Sequence, residues 1–123
     1  MERYCYDQKI EQINFKGIDL KIVLRLEEED IPYDQGFEGM EENDIKETIQ
    51  DIKDGKYIYF CACLRCYFNG LEISSDFLGC CTYKDIDDFI KNSGYYDDMK
   101  DNVLKEGYKY LINLKEQLDN IKE

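Results

Sequence analysis

Three features of this chain predict an α+β fold. Two stretches of alternating apolar residues are each folded back on a glycine-containing turn. One long amphipathic stretch closes the C-terminus. A single proline, Pro32, interrupts 123 residues, so almost no position is barred from regular structure. The expected architecture is an antiparallel sheet of about four strands in two hairpins. Two short helices and one long C-terminal helix pack on one face of it. The length fits one domain, 1–123.

Ile10 to Phe15 is short and β-compatible, and Lys16-Gly17 can turn. Ile18, Leu20, Ile22, Leu24 and Leu26 then alternate with Asp19, Lys21, Val23, Arg25 and Glu27. Period two is the signature of a half-buried strand, so these segments predict the first hairpin. Residues 27–43 lose all periodicity and read EEEDIPYDQGFEGMEEN. They predict an acidic loop: a solvated connector, or a partner-binding loop with Tyr33, Phe37 and Met40 as apolar anchors.

Asp44-Ile45-Lys46-Glu47 has capping-box spacing, and Ile45, Ile49 and Ile52 mark one helical face up to Gly55. Lys56 to Phe68 is rich in Tyr, Phe, Ile and Cys. Asn69-Gly70 follows it, a strong short-range hairpin signal, and Leu71 to Leu78 returns. Gly79 is expected to end that strand. A short helix follows from Thr82 to about Lys91, broken by Asn92-Ser93-Gly94. From Tyr96 to Ile121, Val103, Leu104, Leu111, Leu114, Leu118 and Ile121 fall at helical spacing. This helix either packs wholly on the sheet or offers its later half to a second copy, a homodimer.

The cysteines invite a metal reading. A two-residue Asn69-Gly70 turn pairs Phe68 with Leu71, Cys66 with Ile73 and Cys63 with Asp76. One face then collects Phe60, Ala62, Leu64, Phe77, Cys66 and Cys81, a core face on which cysteine is a small hydrophobe. The other collects Cys61, Cys63 and Cys80, with Asp76 opposite Cys63. Three thiols and a carboxylate in one patch resemble a structural zinc site, which Cys5 or a second copy would complete. The competing reading is plain packing of small buried thiols. Cys63-Leu64-Arg65-Cys66 lies inside a strand, where its two thiols point to opposite faces. It lacks the helix N-terminus of a thioredoxin-like redox motif.

The net charge is −12, with 16 basic against 28 acidic residues. That disfavours direct binding to nucleic acid or an anionic membrane, and favours a basic protein surface. No run approaches the about 18 apolar residues of a membrane span. The first residues, Met1 to Cys5, lack a secretion-signal pattern, so a cytoplasmic location is expected. The chain has no histidine, the most usual general base. Ser74-Ser75-Asp76 sits in a strand with neither base nor nucleophile elbow. A non-enzymatic protein is therefore expected. Arg25 and Arg65 either grip a phosphate-bearing ligand or balance neighbouring acids.

The segment LEISSDFLGCCTY (residues 71–83), with Asp88-Phe89-Ile90 and Gly94-Tyr95-Tyr96-Asp97-Asp98-Met99, resembles small proteins carried by phages and other mobile elements. Those combine a strand hairpin, an SDxLGGC-Y stretch and following helices. Here Cys80 stands where their second glycine falls. Small acidic proteins of that origin are similar to anti-CRISPR counter-defence inhibitors. The resemblance implies an inhibitor acting inside a bacterial host cell, and it carries over no catalytic residues. The expected partner is a Cas9-type effector with a basic nucleic-acid-handling surface. The expected contacts are Glu27, Glu28, Glu29, Asp30, Tyr33, Glu38, Glu41 and Glu42 of the loop, with Asp87, Asp88, Asp97 and Asp98. Two alternatives are a sponge for a cyclic-nucleotide signal and a thiol- or metal-handling accessory protein.

Overall fold

Alternating apolar residues and two tight turns produce one antiparallel sheet whose strands lie in chain order. These are β1 (Cys5–Phe15), β2 (Ile18–Glu28), β3 (Ile58–Phe68) and β4 (Leu71–Tyr83). The computed structural model describes residues 3–33, 35–37 and 39–122. Both hairpin turns place two successive residues at positive φ: Lys16 and Gly17 at 51° and 84°, Asn69 and Gly70 at 49° and 82°. That is the primed turn geometry whose twist matches the flanking strands.

Leu20, Ile22, Leu24 and Leu26 of β2 point to one face, with Phe60, Ala62, Leu64 and Cys66 of β3. Two helices cover that face: α2 (Ile86–Asn92) and α3 (Tyr96–Asp119). Asp85 caps α2 by accepting the Asp88 N–H at 2.8 Å, while the Asp88 carboxylate accepts the Lys84 N–H at 2.9 Å. The first bond satisfies a donor in the first turn of the helix, and the second fixes the residue that precedes the cap. Phe89 of α2 then inserts edge-on against Phe60 and Tyr83, with ring centroids 5.7 and 5.4 Å away.

Tyr96, Met99, Val103 and Leu104 seat α3 on the sheet. At Gly107 the helix backbone comes so close that a Cβ would lie 2.9 Å from Ile73 Cδ1. The Ser74 hydroxyl donates to the Val103 carbonyl at 2.6 Å. Beyond Leu111 the helix runs off the sheet, leaving Leu118 and Ile121 55% and 64% exposed. No helix among the described residues is long and apolar enough to cross a membrane.

The expected fold is present, with local corrections: β1 starts at Cys5 rather than Ile10, α2 at Ile86 rather than Thr82, and α3 ends at Asp119 rather than Ile121. Helix α1 (Glu42–Lys53) starts before the predicted capping box, has Glu41 as an N-cap without a side-chain hydrogen bond, and buries no residue. It therefore contributes nothing to the core, unlike α2 and α3. Strand β4 does not stop at Gly79 but runs on to Tyr83. It has 13 residues against 11 in β3, so two must bulge out of register. The expected pairing holds at Phe68↔Leu71 and Tyr67↔Glu72, then slips to Cys66↔Ser74 and again near Gly79–Cys80. After the first slip Cys63 faces Phe77 rather than Asp76. Phe77 turns outward, Leu78 packs toward the core, and Asp76 accepts from Asn102 of α3.

Candidate binding site

The uncovered face of the sheet holds the predicted thiol patch. Cys61 and Cys63 share this face because Ala62 and Leu64 between and beyond them point into the core. Their sulfurs are 3.7 Å apart, and both residues are buried. The Cys63 thiol donates to the Cys61 sulfur, which draws the Cys61 pKa down. That donation, reinforced by burial, pushes Cys63 up.

The other two predicted ligands lie elsewhere. Cys5 heads a row in which it pairs with Glu27 and Glu27 pairs with Cys61. Two strand spacings, about 10 Å, separate the ends of that row. The Cys5 thiol donates to the Asp7 carbonyl at 3.2 Å. Cys80 occupies the β4 bulge at φ 56°, with its sulfur 3.4 Å from the Tyr59 hydroxyl oxygen. Among the described residues, no three Cys, Asp or Glu side chains are grouped to hold a metal ion. The carboxylate expected in the patch, Asp76, is on the opposite face. Cys66 and Cys81 are core residues as expected, and burial pushes the Cys81 thiol up to about 12.

Beside the thiols, Glu27 accepts hydrogen bonds from Arg65 at 2.7 Å and Arg25 at 3.1 Å. Burial raises the Glu27 pKa, but the bonds and charges of Arg65 and Arg25 outweigh it and hold the carboxyl below its ordinary value. Both arginines are thus engaged by an internal acid, and Glu27 is 7% exposed.

A different site forms at the end of the sheet where β4 finishes. Here the segment after β2 is pinned down from below. Glu29 accepts the Cys80 N–H at 2.7 Å and the Ile31 N–H at 3.2 Å. Tyr59 donates its hydroxyl to the Ile31 carbonyl at 2.7 Å, and Tyr33 and Phe37 pack edge-on against the Tyr59 ring. Gly36 packs closely here: a Cβ at this position would lie 2.5 Å from the Tyr59 oxygen, which would have to move.

So anchored, the segment delivers α1 alongside the end of β4 and leaves a cleft of about 770 Å³ between them. One wall is the α1 stripe Asp44, Glu47, Thr48 and Asp51. These residues recur at the i, i+3, i+4, i+7 spacing of one helical face. The floor is Leu78 to Tyr83, and Asp88 and Tyr95 form the far wall. Phe37, Met40 and Tyr57 close the remaining side. Asp51 is 3.6 Å from Lys56, whereas Asp44 and Glu47 have no cationic partner among the described residues. Asp88 is held below its ordinary value by the Asn92 side chain and the Lys84 N–H. In the same stretch of β4 the Thr82 hydroxyl oxygen is buried and lacks a hydrogen-bond partner among the described residues.

The predicted partner-binding residues divide accordingly. Glu27 and Glu29 are internal ligands of the fold, and Asp30 pairs with Arg3 at 2.7 Å. Tyr33 is half-buried on Tyr59. Glu28, Glu41, Glu42, Asp87, Asp97 and Asp98 are exposed, and Asp88 lines the cleft. Glu38 lies outside the described residues. Sequence reasoning missed Asp44, Glu47, Asp51, Tyr57 and Tyr95. The one-face spacing of the α1 acids was visible, but the apolar Ile45, Ile49 and Ile52 pattern drew attention to the other face. No known protein family, curated protein or solved structure matches this chain.

Proposed function

We propose that this protein is a non-enzymatic inhibitor that binds a basic nucleic-acid-handling surface, most concretely that of a Cas9-type nuclease. It would compete there with phosphates for the same cations and so block DNA loading. One observation carries this reading. The cleft at one end of the sheet is lined by the carboxylates Asp44, Glu47, Asp51 and Asp88, and the exposed acids Glu41, Glu42, Asp87, Asp97 and Asp98 lie within three residues of lining positions in the sequence. Single surface carboxylates are worth little, but a convergent set steers a cationic partner and fixes its orientation. The resemblance of residues 71–83, 88–90 and 94–99 to mobile-element proteins favours an inhibitor.

The test is inhibition of DNA cleavage by a Cas9-type nuclease with guide RNA, as the protein is titrated from low to high salt. The expected result is inhibition that is strongest when the protein is added before DNA and weakens with salt. Cleavage unchanged at a large excess of protein, with no complex on size exclusion, sinks the proposal.

A further inference from the structure

We propose that Cys61 and Cys63 form a two-thiolate site for a soft monovalent ion of the Cu(I) class. The site goes beyond the proposed function and does not depend on it, because neither cysteine lines the acidic cleft.

Three observations point to such an ion. First, the sulfurs already converge. Residues two apart in a strand share a face, and these two sulfurs are 3.7 Å apart. Two sulfurs each about 2.3 Å from one ion can be at most about 4.6 Å apart. An ion therefore fits between them with both side chains near their present positions. A direct disulfide fits worse, because two residues of extended strand advance about 6.8 Å, the upper limit of Cα separation across a disulfide. Second, the donor count selects the ion. Among the described residues no third Cys, Asp or Glu joins the pair. Glu27, the cross-strand neighbour of Cys61, is taken by Arg25 and Arg65. Zinc wants a tetrahedron of donors and calcium a larger shell of oxygens. Cu(I) prefers thiolates and needs no more than the pair. Third, the charge fits. Arg25 faces Cys63 across β2 and β3, and Arg65 lies two residues further along the same face. They share one buried carboxylate, Glu27, while the second acid on Arg65, Glu72 at 3.5 Å, is half exposed and screened by solvent. The shielded network thus keeps one uncompensated positive charge. Two thiolates with a monovalent ion carry one negative charge, and with a divalent ion none.

Binding is a proton exchange without a change of redox state. Both S–H bonds break, two S–Cu bonds form, two protons leave to solvent and copper stays Cu(I). Cys63 has no exposed surface and Cys61 is 7% exposed, so the ion enters past Cys61, and bulky competing thiols are kept from it. Both ligands belong to one strand and stay adjacent when the chain unfolds. The ion therefore closes no long loop and adds little stability, which makes it held cargo rather than a staple.

The experiment titrates the reduced, metal-free full chain, without oxygen, with Cu(I) carried by bicinchoninate, whose colour reports the copper it still holds. Native mass gives the stoichiometry, and copper X-ray absorption gives the ligand shell of the wild type. The variants are Cys61→Ser and Cys63→Ala in the pair, with Cys5→Ser and Cys80→Ser as controls. The expected result is one Cu(I) per chain in a shell of two sulfurs. Either pair variant should weaken binding by more than about 100-fold, beyond what loss of an outer-shell group costs. The controls should bind as wild type does. A wild-type chain that takes no copper from bicinchoninate overturns the site. So does a third sulfur, a nitrogen or an oxygen in the shell. Equal weakening in a control variant would mean a copper cluster spread over several cysteines, and overturn the pair. Zinc held as tightly as Cu(I) would overturn the choice of ion and the donor count behind it. The wild-type shell decides the matter even where a pair variant does not fold.

Discussion

The two faces of the sheet are drawn from the same four strands, yet they exclude water by different means. On the covered face, Leu20, Leu24, Leu64 and Phe60 meet α2 and α3 and make an apolar core. Neither α2 nor α3 covers the open face, and still Cys63 has no exposed surface. Its cross-strand neighbours are Arg25 and Phe77, and Arg65 stacks over the Phe77 ring at 5.5 Å. Arginine stems and one aromatic ring lie around the small thiols there, with Glu27 neutralising the guanidinium heads. The difference teaches that one face is held by volume and the other by a polar network. The two should fail differently.

The largest expected effect is on the covered face. Phe89→Ala empties a site with no exposed surface between two aromatic rings, and should cost about 3–5 kcal/mol in urea denaturation. A loss below about 1 kcal/mol would show that α2 does not seal the core, and the contrast between faces would collapse.

On the open face the counterpart is Glu27→Gln. It leaves two guanidinium groups without their shared anion and should cost about 1–3 kcal/mol. The pH dependence has a definite sign. The folded-state pKa of Glu27 lies below the ordinary 4.5, so its contribution is complete above that value and is lost as pH falls through the folded pKa. Wild type should therefore lose stability below about pH 4.5 more steeply than the Gln variant does. Parallel curves would mean the Arg25–Glu27–Arg65 network is not what holds this face.

Most of the fold was legible because local chemistry decides it. Lys16-Gly17 and Asn69-Gly70 each needed two positive-φ residues, and the β2 alternation could be satisfied in only one orientation. The register of β4 was not legible beyond its first pairs. A turn fixes register only until a bulge intervenes, and the bulges here answer to distant groups. Glu29 takes the Cys80 N–H, and α3 takes Ser74. The candidate site was half legible for the same reason. The acids of α1 could be read from spacing, whereas their meeting with β4 and Tyr95 depends on how Tyr59 and Glu29 pin the intervening segment. Glu27 shows the converse: an acid in an acidic run is indistinguishable by sequence from one that two arginines bury.

The β4 bulge supplies a finer test of the contrast, because Phe77 and Leu78 are adjacent and lie on opposite faces. Phe77 is 52% exposed, so Phe77→Ser should cost less than about 1 kcal/mol. Leu78→Ser should cost more, since it places a hydroxyl against the covered core. The reverse order would restore the unslipped register, in which Phe77 is the core residue.

The smallest expected effect concerns the thiols. A closed zinc site takes four ligands in a tetrahedron, and among the described residues the open face offers one close pair, Cys61 and Cys63. To recruit Cys5, the row through Glu27 would have to break, releasing both arginines. To recruit Cys80, the bulge that donates its N–H to Glu29 would have to refold. Each rearrangement opposes contacts that the fold already makes. Chelator treatment should accordingly leave the native mass and the melting temperature unchanged, and Cys5→Ser should melt with wild type. A chelator-induced drop in melting temperature, accompanied by loss of one zinc mass, would show that metal rather than the arginine network organises the open face. The slipped register of β4 would then describe only the metal-free chain.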